Sequence, residues 1–150
     1  MLVYLASDHA GFALKGELLL LLQAKGYAVE DCGPHAFDAK DDYPDYVLPC
    51  AQKVAAMPGS MGVVVGLSGQ GEAIAANRVS GVRAAVYYGG NQEVLALTRQ
   101  HNNANILSLG AKFLTTEAAV AAVLAWLEAE FAGDERHLRR IAKLDAPVHN

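Results

Sequence analysis

Residues 62–78 read GVVVGLSGQGEAIAANR, and they decide the fold. The run GVVVGL (62–67) has no polar side to turn to water, so it suits a strand buried on both faces of a parallel sheet. A glycine-rich turn follows, and GEAIAANRVS (71–80) is written for a helix. Strand, glycine turn and helix together form the repeating step of an α/β domain. Outward from this step the pattern recurs. Further strands are expected over 2–7 (LVYLAS), 27–32 (YAVEDC), 83–88 (RAAVYY) and 105–110 (NILSLG). Helices are expected over 11–26, 44–57, 91–102 and 115–131, with a basic tail, DERHLRRIAKL, over 134–144. Right-handed crossovers turn such alternation into a doubly wound, five-stranded parallel sheet. The expectation is a single α/β domain over 1–150 with a C-terminal helical tail. Pro49 predicts a kink or a late start in the second helix.

Composition narrows the function classes. A hydrophobic fraction of 53% and a mean hydropathy of +0.17 fit a well-packed globular chain. With 12 basic against 16 acidic residues the net charge is −4, which disfavours general binding to nucleic acid or to an anionic membrane. The apolar run Leu18 to Leu22 is far short of the roughly 20 residues of a membrane helix. The start, MLVYLASDHAG, lacks the basic segment of an export signal. Cys32 and Cys50 are the only cysteines and are expected as reduced thiols in a cytoplasmic protein.

In a doubly wound sheet, ligands bind outside the carboxyl ends of the strands. The loops expected there are SDHAG (7–11), CGPHAFDAKDDYP (32–44), LSGQGE (67–72) and YYGGN (87–91). The SGQGE loop fails three familiar patterns. A dinucleotide fingerprint would need a small residue where Ile74 stands, and a phosphate loop would need Gly-Lys-Ser/Thr. A nucleophile elbow would need Gly where Gln70 stands, which leaves a serine hydrolase built on Ser68 without its context. What remains is an anion nest with one hydroxyl, Ser68, and one carboxylate, Glu72. Its plain structural reading is a tight turn whose early Glu favours the helix dipole. Asp8 and His9 follow the first strand, where Asp8 could merely cap a helix. Arg136 and Arg140 are four apart and share a helix face, which suits a phosphate. A solvated basic helix end is the plainer alternative. His101 and Asn102 lie in HNNAN (101–105), where helix capping would also explain them.

Taken together, SDHAGF (7–12), DYPDY (42–46), SGQGEAIAANR (68–78), RQHNNAN (99–105) and ERHLRR (135–140) resemble the type B ribose-5-phosphate isomerases and the related galactose-6-phosphate isomerase subunits. The resemblance implies a Rossmann-like fold, a dimer, and aldose–ketose isomerisation of phosphosugars in the pentose phosphate pathway, with neither metal nor cofactor. By the same resemblance Asp8 and His9 contact sugar or phosphate, and Tyr43 forms pocket wall. Ser68, Gly69 and Gly71 form the nest for the reaction's oxyanion. His101 opens the sugar ring with Asn102 beside it, and Arg136 and Arg140 clamp the phosphate. Two departures stand out. Many relatives carry a catalytic Cys at the position of Gly66, and those without it resemble this chain in carrying Glu at position 72. Lys112 stands where relatives often have Arg, so a point charge replaces a guanidinium fork.

Glu72 is therefore expected as the base that removes a carbon-bound proton, a task a carboxylate performs in triosephosphate isomerase. The expected reaction interconverts ribose 5-phosphate and ribulose 5-phosphate. Alternatives are an isomerase of six-carbon phosphosugars, such as allose or galactose 6-phosphate, and a non-catalytic phosphosugar-binding module. Topology adds one expectation. His101 ends the fourth helix, at the sheet edge opposite the nest, so it must serve a partner's site. The assembly expected is a homodimer with shared active sites, alone or paired into a tetramer.

Overall fold

Five strands pair in parallel in the order β2–β1–β3–β5–β4. The computed structural model describes residues 1–146, so residues 147–150 of the expected domain lie outside the described residues. The strands are β1 (Leu2–Ser7), β2 (Ala28–Asp31), β3 (Met61–Gly66), β4 (Ala84–Tyr87) and β5 (Ile106–Gly110). The helices are α1 (Phe12–Ala24), α2 (Pro44–Ala56), α3 (Gln70–Ala76), α4 (Glu93–Asn102), α5 (Thr116–Glu128) and α6 (Glu135–Leu144), with a short 3-10 turn at Ala111–Phe113. The doubly wound α/β sheet is as expected. All six residues of β3 are buried, which is why that run carries no polar alternation.

Two cores flank the sheet. Leu14, Leu18 and Leu22 of α1 join Leu95 of α4 and Val123, Trp126 and Leu127 of α5 against one face. Val47, Cys50 and Val54 of α2 join Ala75 and Ala76 of α3 against the other. The winding reverses between β1 and β3, so the loops leaving those strands part to opposite faces and open a crevice. The register sets Ser7 beside Val65, and Gly66 beside Gly110, so three strands end level below that crevice.

Pro49 does not delay α2, which begins at Pro44 and runs unbroken through Pro49. Pro44 takes the first helical position, where no N–H is required. Pro49 is exposed, so the carbonyl of Asp45 that loses its helical partner is free to meet water. Helix α3 stops at Ala76, short of the expected 80, because the Asn77 side chain turns to the edge strand. It donates to the Ala84 carbonyl at 3.0 Å and accepts from the Ala84 N–H at 2.8 Å. Among the described residues no helix is long and apolar enough to cross a membrane.

Candidate active site

The turn between β3 and α3 is built on Gly69, whose φ of +77° lies in the left-handed region that favours glycine. Its carbonyl accepts a 2.6 Å hydrogen bond from the buried Ser108 hydroxyl of β5, which fixes the turn to the neighbouring strand. The Lys112 N–H donates to the Leu67 carbonyl at 3.0 Å and ties the exit of β5 to the same turn. Of the first-turn N–H groups of α3, that of Gln70 is met by the Ser68 hydroxyl and that of Glu72 by its own carboxylate, which leaves the Gly71 N–H to edge the crevice. Ser68 is half-buried, and its hydroxyl accepts from the Gln70 N–H at 3.4 Å. Gly71 is required by a neighbour: a Cβ there would stand 2.8 Å from Cζ of Tyr43. Tyr43 thus closes the crevice from the start of α2.

Glu72 is only 4% exposed. A Cβ on Gly66 would overlap its carboxylate, so the carboxylate occupies the space a side chain at position 66 would need. Burial raises the Glu72 pKa above the ordinary carboxyl value, its own N–H opposes this, and the charge of Asp8 adds to the rise. Desolvation therefore prevails over the helix terminus. Asp8 is buried, and its Oδ1 accepts from the Gly11 N–H at 3.0 Å. His9 lies beside it with its ring in contact with Asp41. Lys112 is exposed in the short turn that follows the carboxyl end of β5. Asp8, His9, Tyr43, Ser68, Gly69, Gly71, Glu72 and Lys112 thus gather at the carboxyl edge of the sheet.

His101, Asn102, Arg136 and Arg140 do not join them. His101 is exposed on the last turn of α4, and its ring stacks on the buried His137 ring of α6 at 4.5 Å. Together with Asn102 and Arg140 these rings border a hollow of about 240 Å³. Arg136 lies one residue before His137, with its guanidinium 3.7 Å from Asp134. This second group sits before β5, whereas Gly66 and Gly110 mark the far end of the same strands. Five residues of strand separate the two groups by roughly 16 Å. Among the described residues no group of three or more His, Cys, Asp or Glu side chains is arranged to hold a metal.

The chain matches the Ribose/Galactose Isomerase family over residues 3–144. It belongs to that family. Among its relatives, ribose-5-phosphate isomerase B of Mycolicibacterium paratuberculosis is 43% identical over 141 residues, which span 94% of this chain and 87% of that protein. The solved ribose-5-phosphate isomerase B of Mycoplasma genitalium with bound ribulose-5-phosphate superposes with a TM-score of 0.90 at 40% identity, covering 96% of this chain and 93% of that one. The enzyme of the same name from Clostridium thermocellum gives 0.90 at 40% identity, covering 97% and 95%.

Within this isomerase family fold, several residues support the two groups without a role foreseen from sequence. Asp41 grips His9 from the 32–44 loop, and the acidic run DAKDD was its only trace in sequence. Arg83 and Arg99 pin the turn after His101. Arg83 Nε donates to the carbonyls of Asn102 and Asn103, both at 3.0 Å. Arg99 Nη1 donates to Asn103 Oδ1 at 2.9 Å and to the Ala104 carbonyl at 2.7 Å. Asn103 itself sits at φ +45°, in the left-handed conformation that ends α4. No sequence pattern announces such carbonyl clamps, because an arginine before a strand or in the last turn of a helix reads equally well as surface charge.

Proposed function

We propose that this chain interconverts ribose 5-phosphate and ribulose 5-phosphate, with Glu72 as the base. The observation that carries the reading is the Glu72 carboxylate, withdrawn from water and seated against Gly66 beside the nest. A carboxylate whose pKa is raised toward working pH is a better base than one fully solvated. In its ionised form Glu72 takes the proton from C2 of the open-chain aldose and returns it to C1, while the hydroxyl proton passes from O2 to O1. The enediolate oxygen formed between these steps is held by the nest N–H groups around Ser68, Gly69 and Gly71. Asp8, His9, Tyr43 and Lys112 shape and charge the surrounding pocket.

The groups at the opposite edge enter from a second copy. His101, Asn102, Arg136 and Arg140 lie together on α4 and α6, so one partner subunit would deliver ring opening and phosphate clamp as a unit. Exposed apolar residues lie next to the crevice at Leu67, Ile74, Tyr88 and Phe113, and their cover by a partner fits a homodimer. A cytoplasmic enzyme of carbohydrate metabolism follows from this reading. Turnover measured over a panel of five- and six-carbon aldose phosphates tests it. Ribose 5-phosphate is expected to give the highest kcat/KM. A preference for allose or galactose 6-phosphate would replace the substrate, and no turnover on any would reject catalysis.

A further inference from the structure

Asp41 comes from the irregular 32–44 loop and closes on His9 with one oxygen. Its Oδ1 accepts from the His9 N–H at 3.0 Å and lies 2.7 Å from the ring Nδ1. A carboxylate can only accept, so Nδ1 must carry the proton. The Asp41 side chain is 3% exposed, and its Oδ2 is buried with no hydrogen-bond partner. Among the described residues no lysine or arginine pairs with it, so His9 is its one counter-charge. A buried carboxylate left without a cation is costly, which favours an imidazolium at His9. The His9 side chain is 39% exposed, and its Nε2 makes no hydrogen bond among the described residues.

We propose that Asp41 is a positioning residue, which fixes the His9 ring through Nδ1 and presents Nε2–H as a charged donor to the phosphosugar. The proposal rests on the function proposed above for its substrate, but its geometry can be tested without one. A simple staple closing the 32–44 loop would use the same contacts, yet it would need no charge on the ring. The groups facing His9 all act in one direction. The hydrogen bond His9 donates to Asp41 raises its pKa most, Asp8, Asp41 and Asp38 add their negative charge, and desolvation opposes them.

Histidine-labelled protein followed by nitrogen NMR separates these accounts, with His9 assigned from its loss in His9→Gln. In the parent, above the His9 midpoint, the neutral ring is expected with its proton on Nδ1. The Nε2–H tautomer would overturn the proposal with no variant needed. Asp41→Asn keeps an acceptor for both contacts and removes only the charge. It is expected to lower the proton affinity of His9 by at least about tenfold, the effect of one opposite charge at contact. An unchanged midpoint would also overturn it. Inorganic phosphate is expected to shift the His9 Nε2 signal in the parent, and to need at least about tenfold more phosphate in Asp41→Asn. No shift in the parent would remove the donor role. With ribose 5-phosphate, Asp41→Asn is expected to raise KM about tenfold above neutral pH while kcat changes little. A parent inactive on every phosphosugar would sink the isomerase reading and leave the NMR results to decide on Asp41.

Discussion

Glu72 and Gly66 occupy one space, and that exclusion governs what can change at either position. Glu72→Gln keeps the shape and removes the base, so kcat is expected to fall at least about 10²-fold with substrate still bound. Near-normal turnover would reject the assignment. The same substitution has a signed effect on stability. The folded protein raises the pKa of Glu72, so the group favours folding when protonated. That contribution is complete below the ordinary carboxyl range, near pH 4, and is lost as pH rises through the raised value. Glu72→Gln is therefore expected to melt higher than the parent at pH 7, with the difference closing toward pH 4. A lower melting temperature at pH 7 would contradict the burial argument. Gly66→Ala puts a methyl where the carboxylate lies. The flexible Glu72 end is expected to move aside, with kcat reduced at least about tenfold and the fold kept by circular dichroism. The expectation of a base at Glu72 came from its place after the nest and from the resemblance to relatives without a Cys at position 66. The outcome of the contest over its charge was not legible, because desolvation depends on what the fold packs around it.

The strands and helices were legible within a few residues, since periodicity and punctuation are local. Buried β3 showed itself as an unbroken apolar run. The end of α3 did not, because Asn77 stops it through bonds to Ala84, a partner on another element. The 32–44 loop has no period at all, so the grip of Asp41 on His9 could not be foreseen. Helix α6 shows the opposite case. Its arginines were visible as a pair on one face, and the buried His137 between them now explains how the helix is held against α4. Arg136 stays 60% exposed on that helix, with the exposed Asp134 as its partner. Arg136→Ala is expected to raise KM roughly tenfold or more, the scale of one charge-assisted hydrogen bond, with little change in melting temperature. Inorganic phosphate is expected to inhibit the variant much less than the parent. Equal inhibition would remove Arg136 from the clamp.

At the scale of the molecule, the two residue groups face opposite edges of one sheet, and two-fold pairing would bring unlike edges together twice. Mixing inactive Glu72→Gln with inactive His101→Ala chains is expected to restore about a quarter of parental activity at statistical exchange, since half the dimers are mixed and each then holds one intact site. Mixed dimers that form, as verified by mass, and stay inactive would reject shared sites. The doubly wound topology alone made this separation readable, because a helix that runs back must end at the far edge. The packing of α6 was not readable, and it is what joins the arginines to His101. The same division has a genetic consequence. If sites are shared between two copies, an allele defective in one half would leave every mixed dimer one working site, so its harm would be diluted by a healthy copy. An allele carrying both lesions would leave a mixed dimer none, because each site would then lack one of its halves. Joined in one gene, the two lesions would cut the activity of a mixed population from about a half to about a quarter of the parental value.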